Sequence, residues 1–332
     1  MSDNLRRYRA IREALTQCYP GQPSGPVARH LMTLAALISG IVGSKSTQLP
    51  HIAAKVPNGT KPASRVKRFA RWLDNARSLE EVYFLPYADV LLRHLALQTV
   101  VLVMDGSSVG RGCTALMIHV VYKGRALPLA WRVRQAPQGH FREDLHIALV
   151  TLLSEMIPTG AQGVVLGDGE CDGRRLQPTL RLAGWSYACR TATSPVATWA
   201  GETFRLEALG AWLKPGRLIE LPEVYYTREA YGPIMVLCGW AKGYHEPLYV
   251  VSNMATAEEA CCWYEKRFRI ATFLADQQSR GFHIHKSHLS DAQRLSRLLI
   301  AACLAYIWVV YLGSVCEKGQ WRPIIHRRKR CD

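Results

Sequence analysis

TVVLVMD (residues 99–105), running into GSSVGRGC (106–113), is the stretch whose reading decides the fold. A short Val-rich apolar run bounded by Gly and Ser reads as a buried strand rather than a helix. It ends on Asp105. A carboxylate at the end of a buried strand sits at the rim of a sheet, where it can face a cation without the cost of full burial. The plainer reading is a turn cap, since Asp-Gly is a common turn pair. What separates the two is whether a second acid occurs in the same setting.

Working outward, ALMIHVV (115–121), the turn YKGR (122–125) and ALPLAWRV (126–133) complete an antiparallel meander of three strands. A helix is predicted over 142–156. GVVLGD (163–168) then repeats the opening pattern: a Val-rich strand, an acid, a glycine. A helix over 172–183 and a strand over 185–190 follow. Three hairpinned strands, then helix, strand, helix and strand, give an α/β fold with an open mixed sheet covered by helices. If the two acid-ending strands are central neighbours, Asp105 and Asp168 come within reach of one divalent ion. Their hard oxygens suit Mg²⁺ or Mn²⁺. Two such ions would activate a water or hydroxyl and steady the leaving oxygen of a phosphodiester. Glu170 and Asp172 read as turn and N-cap residues.

The chain has 332 residues, 48% of them hydrophobic and 20% charged, as in a folded globular protein with a large core. Forty-two Lys and Arg against 26 Asp and Glu leave a formal charge of +16, which favours a polyanionic partner, nucleic acid foremost. No basic amphipathic anchor or lipidation motif points to a membrane. The ten cysteines are scattered without a C-x-x-C spacing, which argues against a zinc ribbon or finger. LRRYRAIREAL near the start is too polar for a signal peptide. The most apolar segment, 298–312, is shorter than the roughly 20 residues that span a bilayer and reads as a buried core helix. A reduced, cytoplasmic setting is expected.

Residues 1–97 read as helical. Residues 5–16 are amphipathic, and 28–41 is an apolar helix that Gly40 and Gly43 are expected to close. SRVKRFARWL (64–73) carries Arg65, Lys67, Arg68 and Arg71 around Val66, Phe69 and Trp72, with Ser64 as the expected N-cap. Such a helix either lies on a DNA backbone or presents an ordinary solvated face. Residues 200–253 are short strands separated by Gly and Pro. Their aromatic residues (Trp212, Tyr225, Tyr226, Tyr231, Trp240, Tyr244) either stack on bases or fill the core of a small sheet. One long helix is predicted over 255–278, placing Tyr264, Arg267, Ala271 and Gln278 on one face. The loop 280–288 adds Arg280, His283, His285, Lys286 and His288. HIHKSH lacks a known ligand pattern, so phosphate contact or capping is expected rather than a metal. HRRKR near the end reads as a basic, solvated tail.

Together, MDGSSVGRGCTALMIHVVYKGRALPLAW (104–131), VVLGDGECDG (164–173) and WYEKRFRIATFLADQQSRGFHIHKSHLSDAQRL (263–295) resemble the DDE transposases of bacterial insertion sequences, of the insertion-sequence-four type. The resemblance spans 99–313. It implies an RNase H-like mixed sheet flanked by helices, a helical N-terminal DNA-binding region (1–97) and a β-rich insertion (200–253). The catalytic core would fall in two parts, 98–199 and 254–313, followed by a basic tail (314–332). It implies cut-and-paste movement: Mg²⁺-dependent strand cleavage at the element's terminal inverted repeats, then attack of a 3′-hydroxyl on target DNA. It also implies double-stranded DNA as partner, a nucleoid-associated setting in a bacterium, and allows a homodimer in the DNA complex. Asp105 and Asp168 match the family's first two catalytic, metal-binding acids, with two ions implied. The third part departs. The family pattern is Tyr, two residues, Arg, three residues, Glu, six residues, Lys. Tyr264 and Arg267 match it, but Ala271 stands where the Glu belongs and Gln278 where the Lys belongs. Tyr264, Arg267, Gln278, Arg280 and Lys286 are expected to contact DNA. Asp276 and Glu265 are expected to face away from the acid pair.

Three functions follow in order: an insertion-sequence transposase whose cleavage is impaired at Ala271, a transposase-derived DNA-binding protein that does not cut, and an unrelated Mg²⁺-dependent phosphohydrolase built on Asp105 and Asp168.

Overall fold

A computed structural model describes residues 2–57, 59–136 and 141–319. The expected tail motif HRRKR lies outside the described residues. Among the described residues, six helices open the chain: α1 (Asp3–Cys18), α2 (Gly25–Ser44), α3 (Leu49–Ala54), α4 (Pro62–Asp74), α5 (Glu80–Tyr83) and α6 (Leu85–Leu95). α2 runs straight through Gly40 and Gly43 and stops at Lys45, whose left-handed backbone returns its N–H to Ile41. Gly40 serves packing rather than termination, because a side chain there would collide with Ile52 of α3. α4 starts on Pro62 after Lys61, so Ser64 lies inside the helix and is not its cap.

The sheet follows. The strands are β1 (Thr99–Gly110), β2 (Cys113–Tyr122), β3 (Arg125–Gln135), β4 (Gln162–Gly167) and β5 (Ser186–Arg190), then β6 (Val196–Trp199), β7 (Glu202–Arg205), β8 (Arg217–Tyr226), β9 (Tyr231–Trp240) and β10 (Leu248–Ser252). They form one ten-stranded mixed sheet in the order β3-β2-β1-β4-β5-β10-β9-β8-β6-β7. β1, β2 and β3 are the antiparallel meander; β4 lies parallel to β1, and β5 parallel to β4. That half is the RNase H-like arrangement. The later strands join it edge to edge, because β10 pairs antiparallel with β5. Helix α7 (Glu143–Met156) bridges β3 to β4, α8 (Leu176–Leu182) bridges β4 to β5, and the short α9 (Glu207–Ala211) follows β7.

After β10 the chain forms α10 (Ala257–Tyr264), a 3-10 turn (Glu265–Phe268), α11 (Arg269–Gln277), a second 3-10 turn (Ile284–Lys286) and α12 (Ala292–Lys318). The single helix expected over 255–278 is therefore broken. α10 packs on β5, the first 3-10 turn on β4, and α11 on β3 and β1, so the segment crosses the sheet and bends as it does. α12 is longer than the apolar stretch suggested. Both α2 and α12 are long and apolar enough to cross a membrane, and half of each apolar window is buried inside the protein. α12 lies against α2 and β3, with Leu295 to Tyr306 supplying its core face.

Candidate active site

The alternation of β1 builds the site. Side chains two apart share a face. Val103 lies opposite His119 of β2, and His119 meets the ring of Phe273 on α11. Asp105 and Ser107 therefore face the α10–α11 segment as well, while a side chain at Gly106 would run into Phe141 beside α7. β1 does not turn after Asp105 as the sequence suggested. It continues to Gly110 in its hairpin with β2, and Asp105 marks the end of the β1–β4 ladder only. The last rung of that ladder is Met104 opposite Gly167. The next residue on each strand is an acid, Asp105 on one and Asp168 on the other.

Arg267, on the first 3-10 turn, connects them. Its Nη2 lies 3.4 Å from Asp105 Oδ2 and 3.7 Å from Asp168 Oδ2, which bounds the separation of the two carboxylates by the sum of those distances. All three side chains are less than a third exposed. Burial raises the Asp105 carboxyl above its ordinary range, the neighbouring Asp168 adds to this, and Arg267 opposes it. The Asp105 Oδ1 atom accepts the backbone N–H of Gly106, and Asp168 accepts that of Glu170, so each acid is held by the backbone just after it.

The other expected residues divide. Tyr264 is buried beside this cluster. Gln278 donates through Nε2 to Ser107 Oγ and to the Ser108 carbonyl, which ties the end of α11 to β1. Ala271 lies between Arg267 and Gln278 in the chain, is exposed, and offers no polar atom. Asp276 turns to Arg125 of β3 at 3.8 Å, and Glu265 is exposed to solvent. Arg280 and Lys286 are exposed. Lys67, Arg68 and Arg71 lie on the outer face of α4, whereas Arg65 donates to the Ala53 carbonyl and clamps α4 to α3. The histidines of 283–288 do not form one cluster: the His283 and His285 rings lie 6.0 Å apart, centroid to centroid, while His288 pairs with Arg111. Among the described residues no group of three or more His, Cys, Asp or Glu side chains is placed to hold a metal.

Glu170 lies in the turn after Asp168 as expected, but the partners of Glu170 and Asp172 were not legible in the sequence. Asp172 is no N-cap, since α8 begins at Leu176. Its carboxylate is partly buried and accepts Thr191 Oγ1 at 2.6 Å and the Tyr226 hydroxyl at 3.1 Å, joining the loop after Asp168 to β8. Glu170 accepts the Phe141 N–H and lies 3.9 Å from the buried His146 ring. Beside the acid pair lies an open cleft of about 650 Å³, lined by Arg190, Arg217, Trp240, Tyr244, Tyr264 and Arg267. Arg190 ends β5 as the acids end the β1–β4 ladder, but only the strand order reveals that it belongs there. Of the expected stacking aromatics, Tyr226 is core, while Trp212, Tyr225 and Tyr244 are exposed.

Asp105 and Asp168 supply hard carboxylate oxygens of the kind a divalent cation takes. Two adjacent carboxylates repel each other, and a guanidinium already neutralises them where a cation would act.

No family model matches the sequence, and no curated protein matches it. Solved structures do overlay it. A cryo-EM structure of a piggyBac transposase synaptic complex with hairpin DNA aligns at 12% identity over 96% of this chain and 77% of that one, with a TM-score of 0.49. Human ENDOV aligns at 17% identity over 55% and 84%, with a TM-score of 0.29. Aa-Ago with externally bound siRNA aligns at 14% over 73% and 36%, with a TM-score of 0.27. Overlays this loose carry no weight for the site, which stands on the geometry of Asp105, Asp168 and Arg267.

Proposed function

We propose that this chain is a DNA transposase of the bacterial insertion-sequence type that binds DNA and cuts it poorly. The observation that carries the proposal is the register of β1 against β4, which sets Asp105 and Asp168 side by side under Arg267. Asp105 and Asp168 would hold one Mg²⁺ or Mn²⁺ ion. When bound, such an ion polarises a phosphodiester oxygen and lowers the pKa of water. The chain's own residues do the rest. Arg190, Arg217 and Arg267 draw a phosphate backbone into the cleft, and Trp240 and Tyr244 offer flat apolar surface to bases. Lys67, Arg68 and Arg71 add a second basic surface on α4 for the duplex.

Ala271 limits the chemistry. An alanine gives a hard cation no oxygen, so the in-line geometry of phosphoryl transfer is poorly held. Loss of one charge-stabilising group commonly costs about 10² to 10³ in rate. Ala271→Glu, together with Gln278→Lys, is expected to restore metal-dependent nicking of a duplex bearing the element's end. Nicking assays with Mg²⁺ and Mn²⁺ check this. Robust cleavage by the unaltered chain, lost in Asp105→Ala, would show that another residue supplies the third ligand.

A second reading, a transposase-derived protein that binds DNA without cutting, is favoured by one observation: Gln278 is committed to Ser107 and Ser108. Failure of the double substitution to restore nicking, with duplex binding intact, supports it.

A further inference from the structure

We propose that Arg267 is an exchangeable counter-cation for the Asp105–Asp168 pair: a DNA phosphate draws the guanidinium off, a divalent ion takes its place, and the two ligands therefore bind with positive coupling. This rests on the reading of Asp105 and Asp168 as metal ligands. Four features of Arg267 support it. Its distances of 3.4 and 3.7 Å are longer than the roughly 2.7–2.9 Å of a well-formed charged hydrogen bond. Its Nε is buried without a hydrogen-bond partner, so its present position leaves one donor unsatisfied. It stands on a four-residue 3-10 turn between two helices, not inside a regular helix. And it lines the cleft that also presents Arg190 and Arg217, so a phosphate there lies within its range of motion.

A guanidinium and a divalent cation cannot share the same carboxylate oxygens without strong repulsion. With Arg267 in place the acid pair is partly neutralised and attracts a cation weakly. With Arg267 withdrawn, two adjacent carboxylates face each other, and a cation relieves that repulsion. A phosphate suits the departing guanidinium, whose planar fork matches two phosphate oxygens. Whatever factor DNA adds to metal affinity, metal must add to DNA affinity.

The test uses Mn²⁺ titrations of the full chain, with free Mn²⁺ read by electron paramagnetic resonance, with and without a short duplex of arbitrary sequence at low salt. Asp105→Asn, measured with the same DNA, subtracts the Mn²⁺ held by DNA itself. Arg267→Gln is expected to bind Mn²⁺ more tightly than the unaltered chain by about 5- to 150-fold, the usual span of coupled sites. Arg267→Lys, which keeps the charge and guards against misfolding of the first variant, is expected to lie between them. DNA is expected to tighten Mn²⁺ binding in the unaltered chain and not in Arg267→Gln. Equal or weaker Mn²⁺ binding by Arg267→Gln, or no effect of DNA on the unaltered chain, overturns the exchange while Asp105-dependent binding leaves the metal reading standing. Binding no greater than that of Asp105→Asn in every variant overturns the metal reading and the exchange with it.

Discussion

His119 is fully buried between β1 and α11, with the Phe273 ring tilted edge-on to it at 4.3 Å between centroids. Burial holds its pKa down at about 3. The ring is therefore neutral in the fold and takes up a proton only on unfolding. The unfolded chain binds the extra proton below about 6.5, so stability is complete above that pH and falls as pH drops toward 3. The slope from this one residue approaches about 1.4 kcal/mol per pH unit at its steepest. His119→Leu is expected to lose that component. Urea midpoints at several pH values between about 7 and about 5 check it, and an unchanged slope in the variant would refute it. At this scale the sequence was readable where chemistry is local. Asp105 and Asp168 announced themselves as acids closing Val-rich runs. Ala271 and Gln278 were legible only as departures from a pattern. That Gln278 would spend its amide on Ser107 and Ser108 depends on how α11 docks on β1, which no spacing in the sequence encodes.

The loop between β4 and α8 is the element on which the site depends, and two of its interactions are testable. A methyl at Gly167 would overlap the Cys171 side chain, because the chain folds back sharply after Asp168. Gly167→Ala is expected to destabilise by roughly 1–3 kcal/mol, as overpacking does, with much of the stability recovered on adding Cys171→Gly. Equilibrium urea unfolding measures both. Further along, the Tyr226 hydroxyl donates to the partly buried Asp172, whose carboxyl is pushed up by desolvation. Tyr226→Phe removes a hydrogen bond to a partly buried acid and is expected to cost about 1.5–3 kcal/mol by the same measurement. The strand pair β1 and β4 was visible in the sequence because each strand is central, parallel to its neighbour and written as an unbroken apolar run. The reach of Asp172 to β8 was not visible, because it joins residues 54 positions apart through tertiary packing. The break at Glu265–Phe268 was hidden for a related reason: residues 257–277 have helical composition throughout, and the bend comes from crossing β5, β4 and β1 in turn.

The excess of cations acts over the whole molecule. On the proposed reading, a chain of +16 formal charge that places Lys67, Arg68 and Arg71 on the outer face of one helix, and Arg190, Arg217 and Arg267 around one cleft, would meet phosphates at two places. Each phosphate neutralised by a side chain releases counterions, so the logarithm of duplex affinity is expected to fall linearly with the logarithm of salt, by about 0.9 per phosphate. Replacing Lys67, Arg68 and Arg71 by Ala is expected to weaken binding similarly for all sequences and to flatten the slope by roughly one for each phosphate that is no longer neutralised. Arg65 supplies the contrast. Its guanidinium is committed to the Ala53 carbonyl, so Arg65→Ala is expected to lower the stability of the α3–α4 pair and leave the slope of the folded protein largely unchanged. Anisotropy titrations at three or more salt concentrations, paired with thermal melts, separate the two effects. A slope that the triple substitution leaves untouched would move the duplex off α4, and an affinity indifferent to salt would remove DNA as the main ligand.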